Sequence, residues 1–258
     1  KEFPVDNFST NIMGTVNLLE SVRQSSTSPV LVVTSDKCYW PNSSPCKVGD
    51  TLGGRDPYSA SKACVEHVVD AYQSLTDFPI ATVRAGNVIG GGDFGEDRLV
   101  PDWIKAKQSN KPLVVRNSKH IRPWLYVLDA SFGYLLVLEH LCLKKPIRGG
   151  AWNIGATENI SVRQLLSVLE KHWASQEGIE EVGTQHQDSV LNDPKEDPYL
   201  SLVCSKANKE LGWVKRFALD ETVAWTINGY RDNNIHSMEK ALEAYLSDHS
   251  AGRKNGHL

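Results

Sequence analysis

The sequence predicts an α/β protein built on a parallel β-sheet, and three observations lead to this class. Short apolar runs rich in β-branched residues, typical of strands buried on both faces, occur at 29–34 and 79–83. Apolar residues at helical spacing occur at 8–23 and 57–75. Strands that alternate with helices of this length are characteristic of parallel sheets.

After Gly90 the regular alternation of strands and helices gives way to a less regular pattern. A glycine-rich loop leads to a predicted helix around 103–107 and a short strand at 112–115. Residues 124–141 read as a helix, 151–155 as a strand, and Ser161 as the N-cap of a helix over 162–173. The last twenty residues are polar, and we expect them to fray.

Composition excludes several classes of function. The 258 residues are 40% hydrophobic with a net charge of -3, and Lys and Arg are scattered, so no nucleic-acid partner is expected. No apolar run approaches the ~20 residues of a membrane span. Five cysteines without a CxxC pair indicate reduced thiols and a cytoplasmic location. The dispersed histidines predict no metal site.

Tyr58 and Lys62 form the first candidate catalytic pair. Their i,i+4 spacing places both on one face of the predicted second helix. An ammonium group near the phenol would lower the tyrosine pKa from its reference value of ~10, which would suit a general base or acid. This spacing also arises by chance, so the neighbouring motifs must decide whether Tyr58 and Lys62 are a catalytic pair.

Ser35, Asp36 and Lys37 provide that context, because they directly follow the first predicted strand. Ligands bind at the carboxyl ends of strands in open α/β sheets. Ser35 could bond a substrate hydroxyl beside Tyr58, while Asp36 and Lys37 add an acid and a base. A solvated turn is the alternative for this segment taken in isolation.

Together, Ser35, Tyr58 and Lys62 resemble the catalytic set of the extended short-chain dehydrogenase/reductase family. The segment 10–15, Thr-Asn-Ile-Met-Gly-Thr, resembles that family's Asn-x-x-Gly-Thr helix and gives Asn11 as a fourth member. Asp36-Lys37 resembles the dehydratase branch, since the epimerases usually lack an acid at this point. The resemblance implies a Rossmann-like fold and NAD as cofactor, held by Ser35, Tyr58 and Lys62.

Two further segments resemble the CDP-glucose 4,6-dehydratases in particular. They are the glycine loop 84–102 and the Arg-Pro-Trp segment at 122–124. The resemblance implies that Asn87 and Arg122 bind the substrate diphosphate and that Arg98 approaches the nucleotide or the sugar. An arginine suits a diphosphate because its planar fork bonds two oxygens at once. A surface ion pair is the alternative for Arg122.

The implied reaction is the lyase conversion of CDP-glucose to CDP-4-keto-6-deoxyglucose and water. The implied domains are the remainder of a Rossmann domain, 1–89 and about 122–160, and a substrate lobe with a tail, about 90–121 and 161–258. A homodimer through the helices around Val16 and Val68 is possible. Other nucleotide sugars and epimerisation remain alternative functions.

The beginning of the chain departs from the family pattern. Members begin with a strand and a glycine-rich turn for the NAD diphosphate, and no such turn precedes Asn11. We therefore expect a fragment whose parallel sheet is incomplete at the N-terminus and which, as given, binds NAD weakly and is inactive. An inactive remnant that does not turn over its ligand is the alternative from a different class.

Overall fold

A computed structural model describes residues 3–25, 28–115, 117–143, 149–156, 158–177, 186–188, 197–232 and 235–252. Its α-helices are α1 (Pro4–Phe8), α2 (Gly14–Ser25), α3 (Pro57–Leu75), α4 (Leu99–Gln108), α5 (Val127–Leu143), α6 (Val162–Glu177), α7 (Ser205–Leu211), α8 (Leu219–Asp232) and α9 (Ile235–Gly252). Its strands are β1 (Val30–Val33), β2 (Ile80–Ala85), β3 (Asn87–Ile89), β4 (Leu113–Val115), β5 (Ile121–Arg122), β6 (Trp124–Tyr126), β7 (Gly149–Ile154), β8 (Ile160–Ser161) and β9 (His186–Asp188).

The central sheet has the strand order β1-β2-β7 and is parallel throughout. Its three strands are those that the apolar runs predicted, so the expected α/β class with a Rossmann-type parallel sheet is confirmed. Val30 is paired with Ile80, and Ile80 in turn with Gly149. All six residues of β2 are buried, as a central strand covered on both faces requires.

Each face of this sheet has its own apolar core. On one face Ile80 packs with Leu19 of α2 and Val65 of α3. On the other, a larger cluster includes Val83 and Val137 of α5. Because side chains alternate along a strand, Thr82 and Arg84 lie on the same face of β2 as Ile80, the face that packs against α3. Both donate hydrogen bonds to Glu66 of α3.

A separate core is built from the elements after Gly90. Trp103 of α4, Leu165 and Leu169 of α6, and Ile227 of α8 are fully buried in it. Ile89 of β3 and Trp124 of β6 belong to this core, and β3 begins two residues after β2 ends. The short parallel pair β3-β6 therefore connects the core to the carboxyl end of the central strand. Of the helices that the structure describes, none is long and apolar enough to cross a membrane.

Two predicted features change in the structure. Residues 124–126, predicted as the start of a helix, form β6 because they pair with β3, and α5 begins only at Val127. The predicted fraying after residue 238 is wrong as far as Gly252, because α9 is helical and buries Tyr245. The hydroxyl of Tyr245 donates to the buried carboxylate of Asp129 over 2.9 Å.

The predicted cap at Ser161 is confirmed. The Gln164 amide donates to the Ser161 hydroxyl over 3.2 Å, and the Gln164 side chain accepts from the Ser161 amide over 2.8 Å. This reciprocal pair is a capping box, and it fixes the start of α6.

Candidate active site

The segment that follows β1 places three of the predicted residues at the carboxyl end of the sheet. Ser35 is the N-cap of a short 3₁₀ helix, Asp36–Cys38, and its hydroxyl accepts from the amide of Lys37 at 3.2 Å. The same hydroxyl donates to Asp36 Oδ1 over 3.0 Å. Ser35 and Asp36 are buried and Lys37 is partly buried. The segment is therefore a compact turn held by its own side chains.

The carboxyl group of Asp36 is buried with one oxygen, Oδ2, that has no hydrogen-bond partner among the described residues. Burial raises the pKa of Asp36, although Ser35, Lys37 and Arg122 all act to lower it. A carboxyl group with a raised pKa retains its proton towards neutral pH and can donate it. The geometry therefore suits Asp36 to the role of a general acid.

Helix α3 brings Tyr58 to this turn. Asp56 caps the helix, with Oδ1 accepting from the Tyr58 amide at 2.9 Å and the Ser59 amide at 3.1 Å, and Pro57 occupies the first helical turn. Although 39% of the Tyr58 surface is exposed, desolvation raises the pKa of its hydroxyl. A hydrogen bond with Ser35 and the charge of Arg98 act in the opposite direction.

Lys62 does not lower the pKa of Tyr58 in the way that the spacing predicted. Its ammonium lies 5.9 Å from the centroid of the Tyr58 ring and donates to the Val33 carbonyl over 3.4 Å. The group therefore faces the ring and the strand end, and burial of Tyr58 outweighs any effect of Lys62. Burial also lowers the pKa of Lys62 itself.

Asn11 lies in a π-helical turn, Ser9–Met13, between α1 and α2. The amide of Gly14 donates to the carbonyl of Ser9, five residues back, which defines this wider turn. The Asn11 side chain donates to the Ser61 hydroxyl over 2.8 Å, and that hydroxyl donates to the carbonyl of Tyr58 over 2.8 Å. Asn11 thus contacts α3 beside Tyr58 and Lys62.

The predicted substrate residues lie on a second side of the site. Arg122 on β5 is buried, which excludes the surface ion pair, and its Nη2 lies 3.2 Å from His120 Nδ1. Its charge acts to lower the pKa of Asp36, against the larger effect of burial. Arg98 is exposed and bonds both carboxylate oxygens of Asp93, at 2.9 and 3.0 Å. Asn87 begins β3 and is paired with Trp124 on β6.

Asp197 is a charged residue of this site that sequence reasoning missed. Pro198 accepts from the Ile121 amide at 3.0 Å, so Asp197 lies beside β5. Burial raises the pKa of Asp197, while Arg55, Arg122 and Lys37 act to lower it. The Asp197 carboxylate is therefore close enough to Arg55, Arg122 and Lys37 for their charges to affect its pKa. A single aspartate in a charged stretch gives no signal in the sequence.

No group of three or more His, Cys, Asp or Glu side chains in the described part of the chain is arranged to hold a metal ion. The groups of the predicted catalytic set are instead the hydroxyl of Ser35, the carboxyl of Asp36, the phenol of Tyr58 and the amines of Lys37 and Lys62.

Comparison with known proteins defines the class. A family model described as GDP-mannose 4,6 dehydratase matches residues 2–226, and the chain therefore belongs to that family. The resemblance to the dehydratases of the extended short-chain dehydrogenase/reductases is confirmed by this match.

Two curated relatives are more specific. The chain is 36% identical over 248 residues to the CDP-glucose 4,6-dehydratase of Salmonella typhimurium, covering 89% of this chain and 66% of that protein. It is 29% identical over 241 residues to a dTDP-glucose 4,6-dehydratase of Xanthomonas campestris, covering 87% of this chain and 66% of that protein. The chain thus spans slightly less than two thirds of the length of these relatives.

Solved structures share the fold. A dTDP-glucose 4,6-dehydratase from Streptomyces venezuelae, with NAD and TYD bound, superposes with a TM-score of 0.76 at 23% identity, covering 88% of this chain and 67% of that one. A UDP-glucuronic acid 4-epimerase from Bacillus cereus, in complex with UDP-glucuronic acid and NAD, gives 0.75 at 23% identity, covering 88% and 69%. At this identity the likeness establishes the fold alone.

Proposed function

We propose that this chain carries the catalytic residues of an NAD-dependent nucleotide-sugar 4,6-dehydratase, a hydro-lyase acting on CDP-glucose. The observation that carries the proposal is Asp36, a buried carboxyl group with a raised pKa, which precedes Lys37 in a 3₁₀ turn packed against α3, the helix of Tyr58. Reversible oxidation at C4 needs a tyrosine and a lysine only. An additional acid and base supply what a loss of water requires.

The first step is oxidation of the C4 hydroxyl group to a ketone. Tyr58 takes the hydroxyl proton, and bound NAD would supply the hydride acceptor and later the hydride donor. The Ser35 hydroxyl and the Arg98 charge both favour the phenolate that this step needs. Lys62 is placed against the strand end by its bond to the Val33 carbonyl.

The second step is loss of water across C5 and C6. The C4 ketone acidifies the proton on C5, and Lys37 removes it. The electron pair left on C5 forms the C5–C6 double bond as the C6 hydroxyl group leaves, and Asp36 donates the proton that converts this group to water. Return of a hydride to C6 and of a proton to C5 then gives the 4-keto-6-deoxy sugar. The net change is the loss of one water molecule, with no net oxidation.

Three residues fit the cofactor. Lys62 makes a single hydrogen bond among the described residues, at 3.4 Å, which leaves ammonium donors available to a ligand. Tyr58 keeps an exposed face, and Ser35 lies beside its hydroxyl. We infer that Ser35, Tyr58 and Lys62 hold the reactive end of NAD, as the resemblance implies.

CDP-glucose is the substrate that the 36% identical relative favours, since that protein is described as a CDP-glucose 4,6-dehydratase. Asn87, Arg98 and Arg122 are the proposed contacts to its nucleotide and diphosphate. The division into a Rossmann domain and a substrate lobe, a homodimer and a cytoplasmic location stay predictions. The separate core formed by α4, α6 and α8 supports a distinct lobe.

The test is to restore the family's N-terminal glycine-rich segment to the chain, to incubate this protein with CDP-glucose and NAD, and to follow the sugar by NMR. A methyl signal at C6 together with a C4 ketone is the expected result, whereas the chain as given should form neither because it binds NAD weakly. Formation of the C4 epimer with retention of the C6 hydroxyl group would favour the epimerase alternative. Calorimetric titration with CDP in parallel separates a chain that fails to bind from one that binds without turnover. UDP-glucose and dTDP-glucose serve as competing substrates.

A further inference from the structure

Beneath the site lies a buried ion pair that the proposed chemistry does not use. Glu66 of α3 and Arg84 of β2 are joined at 2.8 Å, and their side chains are only 3% and 6% exposed. Glu66 lies one helical turn beyond Lys62, and Arg84 is the penultimate residue of the central strand β2. The pair therefore lies between the catalytic helix and the sheet.

Glu66 binds the chain immediately before the catalytic turn. Its Oε1 accepts from the hydroxyl of Thr34, the residue that precedes Ser35. Its Oε2 accepts from Thr82 at 2.9 Å and from Arg84 at 2.8 Å. One carboxylate thus joins α3, which carries Tyr58, to the end of β1.

Arg84 binds the chain immediately after the same turn. Its Nη1 donates to the hydroxyl of Tyr39 and to the carbonyl of Val48, both over 2.9 Å. The Tyr39 hydroxyl donates in turn to Asn153 Oδ1 over 2.6 Å, on β7. The guanidinium also lies 4.9 Å from the centroid of the Tyr39 ring. The turn 35–38 is therefore fixed at both ends, at Thr34 and at Tyr39.

Stability alone is a poor reason for such a pair. Desolvating two charges costs about as much as their attraction returns, and apolar replacements of buried pairs are often neutral or stabilising. Moreover, Arg84 Nε is buried without a partner among the residues described. The Glu66–Arg84 pair is better explained by the way in which it fixes the positions of the segments that it joins.

We propose that Glu66 and Arg84 are positioning residues, which set the distance between the turn of Ser35, Asp36 and Lys37 and the helix of Tyr58 and Lys62. The inference rests on the proposed function, because it concerns residues assigned there to the chemistry. It adds that their relative placement depends on the Thr34–Glu66 bond at one end and the Arg84–Tyr39 bond at the other.

Two valine substitutions test this with a matched control. Thr34→Val and Thr82→Val each remove one buried hydroxyl that donates to Glu66, but only Thr34 adjoins the turn. We expect Thr34→Val to lower kcat on the order of 10- to 100-fold, the scale of a displacement of about 1 Å, with little change in KM. Thr82→Val should leave kcat within about threefold, and Thr34→Ser, which restores the hydroxyl, should rescue turnover. Tyr39→Phe tests the other end and should resemble Thr34→Val.

Amide hydrogen exchange gives a reading that needs no turnover. The amides of Cys38 and Tyr39, which donate to Ser35 and Asp36 within the turn, should exchange faster in Thr34→Val than in Thr82→Val. If the wild-type chain with its N-terminus restored does not turn over CDP-glucose, the proposed function fails, while exchange in the chain as given still decides the positioning role. Equal effects of the two valine variants, no effect of either, or failure of Thr34→Ser to rescue would overturn the proposal.

Discussion

The side chain of Asn11 donates a 2.8 Å hydrogen bond to the hydroxyl of Ser61, fifty residues further along the chain. This bond joins the π-helical turn to the helix that carries Tyr58 and Lys62. Asn11→Ala and Ser61→Ala should each lower kcat, and in a double-mutant cycle the two effects should be coupled by about 0.5–1.5 kcal/mol. Strictly additive effects in the cycle would show that Asn11 acts independently of Ser61.

Asp36→Asn should stabilise the fold increasingly as the pH rises. Because burial raises the folded-state pKa of Asp36 above that of the unfolded chain, its contribution to stability is present below the unfolded pKa and is lost as pH rises through the folded pKa. Asn does not ionise, so the variant does not lose this stability. We expect its free energy of unfolding to exceed that of the wild type by roughly 1–3 kcal/mol at the alkaline end of the range. Urea unfolding from pH 4 to 8 measures it. A gain independent of pH would contradict the assignment.

In a chain with its N-terminus restored, Asp36→Asn and Lys37→Ala should impair elimination more than oxidation at C4. Each variant retains Tyr58 and Lys62, so oxidation can proceed while water loss is slowed. Reduced cofactor should then accumulate transiently, visible by its absorbance in a single-turnover experiment. Asp220→Asn, which alters an exposed carboxylate that binds Lys171 at 3.0 Å, is the control and should behave as wild type. Wild-type turnover in either site variant would remove that residue from the mechanism.

Arg122→Met should weaken binding of CDP roughly 10- to 150-fold, the loss of a charge-assisted contact worth ~1.5–3 kcal/mol. Methionine keeps an unbranched apolar stem in the buried position, which limits the structural damage. Arg98→Gln removes an exposed cation that is held by Asp93, and a smaller loss is expected there because solvent screens it. Calorimetry with CDP measures both. Unchanged affinity in Arg122→Met would place the diphosphate elsewhere.

Gly91→Ala should destabilise the loop that follows β3. A methyl group at Gly91 would lie 2.4 Å from the Cα of Gly229 on α8, and backbone cannot yield as a flexible side chain can. We expect a loss of about 1–3 kcal/mol in unfolding free energy, as for other overpacked sites. Gly49→Ala, where the added methyl group would meet nothing within 4 Å, is the matched control. Equal stability of the two variants would contradict the close approach.

The sequence was sufficient for the central sheet because its three strands are continuous apolar runs, such as the one that ends at Val33. It was insufficient for β6, since Trp124 to Tyr126 become a strand only through pairing with β3, and apolar residues alone suit either element. The fraying predicted beyond residue 238 failed for a similar reason. Tyr245 is buried by a partner, Asp129, that lies far away in the chain.

The candidate site likewise contains features that the sequence predicted and features that depend on contacts between distant segments. Ser35 and Tyr58 could be predicted because a strand end and a helix N-terminus fix their places, and the structure brings them together. The state of the tyrosine could not, because spacing to Lys62 says nothing about which part of the ring the ammonium faces. Asp197 escaped prediction because its neighbours depend on hydrogen bonds between its segment and β5.

The π-helical turn at Ser9–Met13 also constrains how this region can vary in length. A turn closed over five residues holds one residue more than an α-helical turn, and each helical residue turns the chain by about 100°. Deleting a single residue there would convert the wide turn into an ordinary α-helical turn, and α1 would keep nearly its present orientation relative to α2. The contacts of α1 with α3 would then be kept. Single-residue deletions should therefore be tolerated better in this turn than in the middle of α2, where a deletion rotates the residues on one side by about 100°.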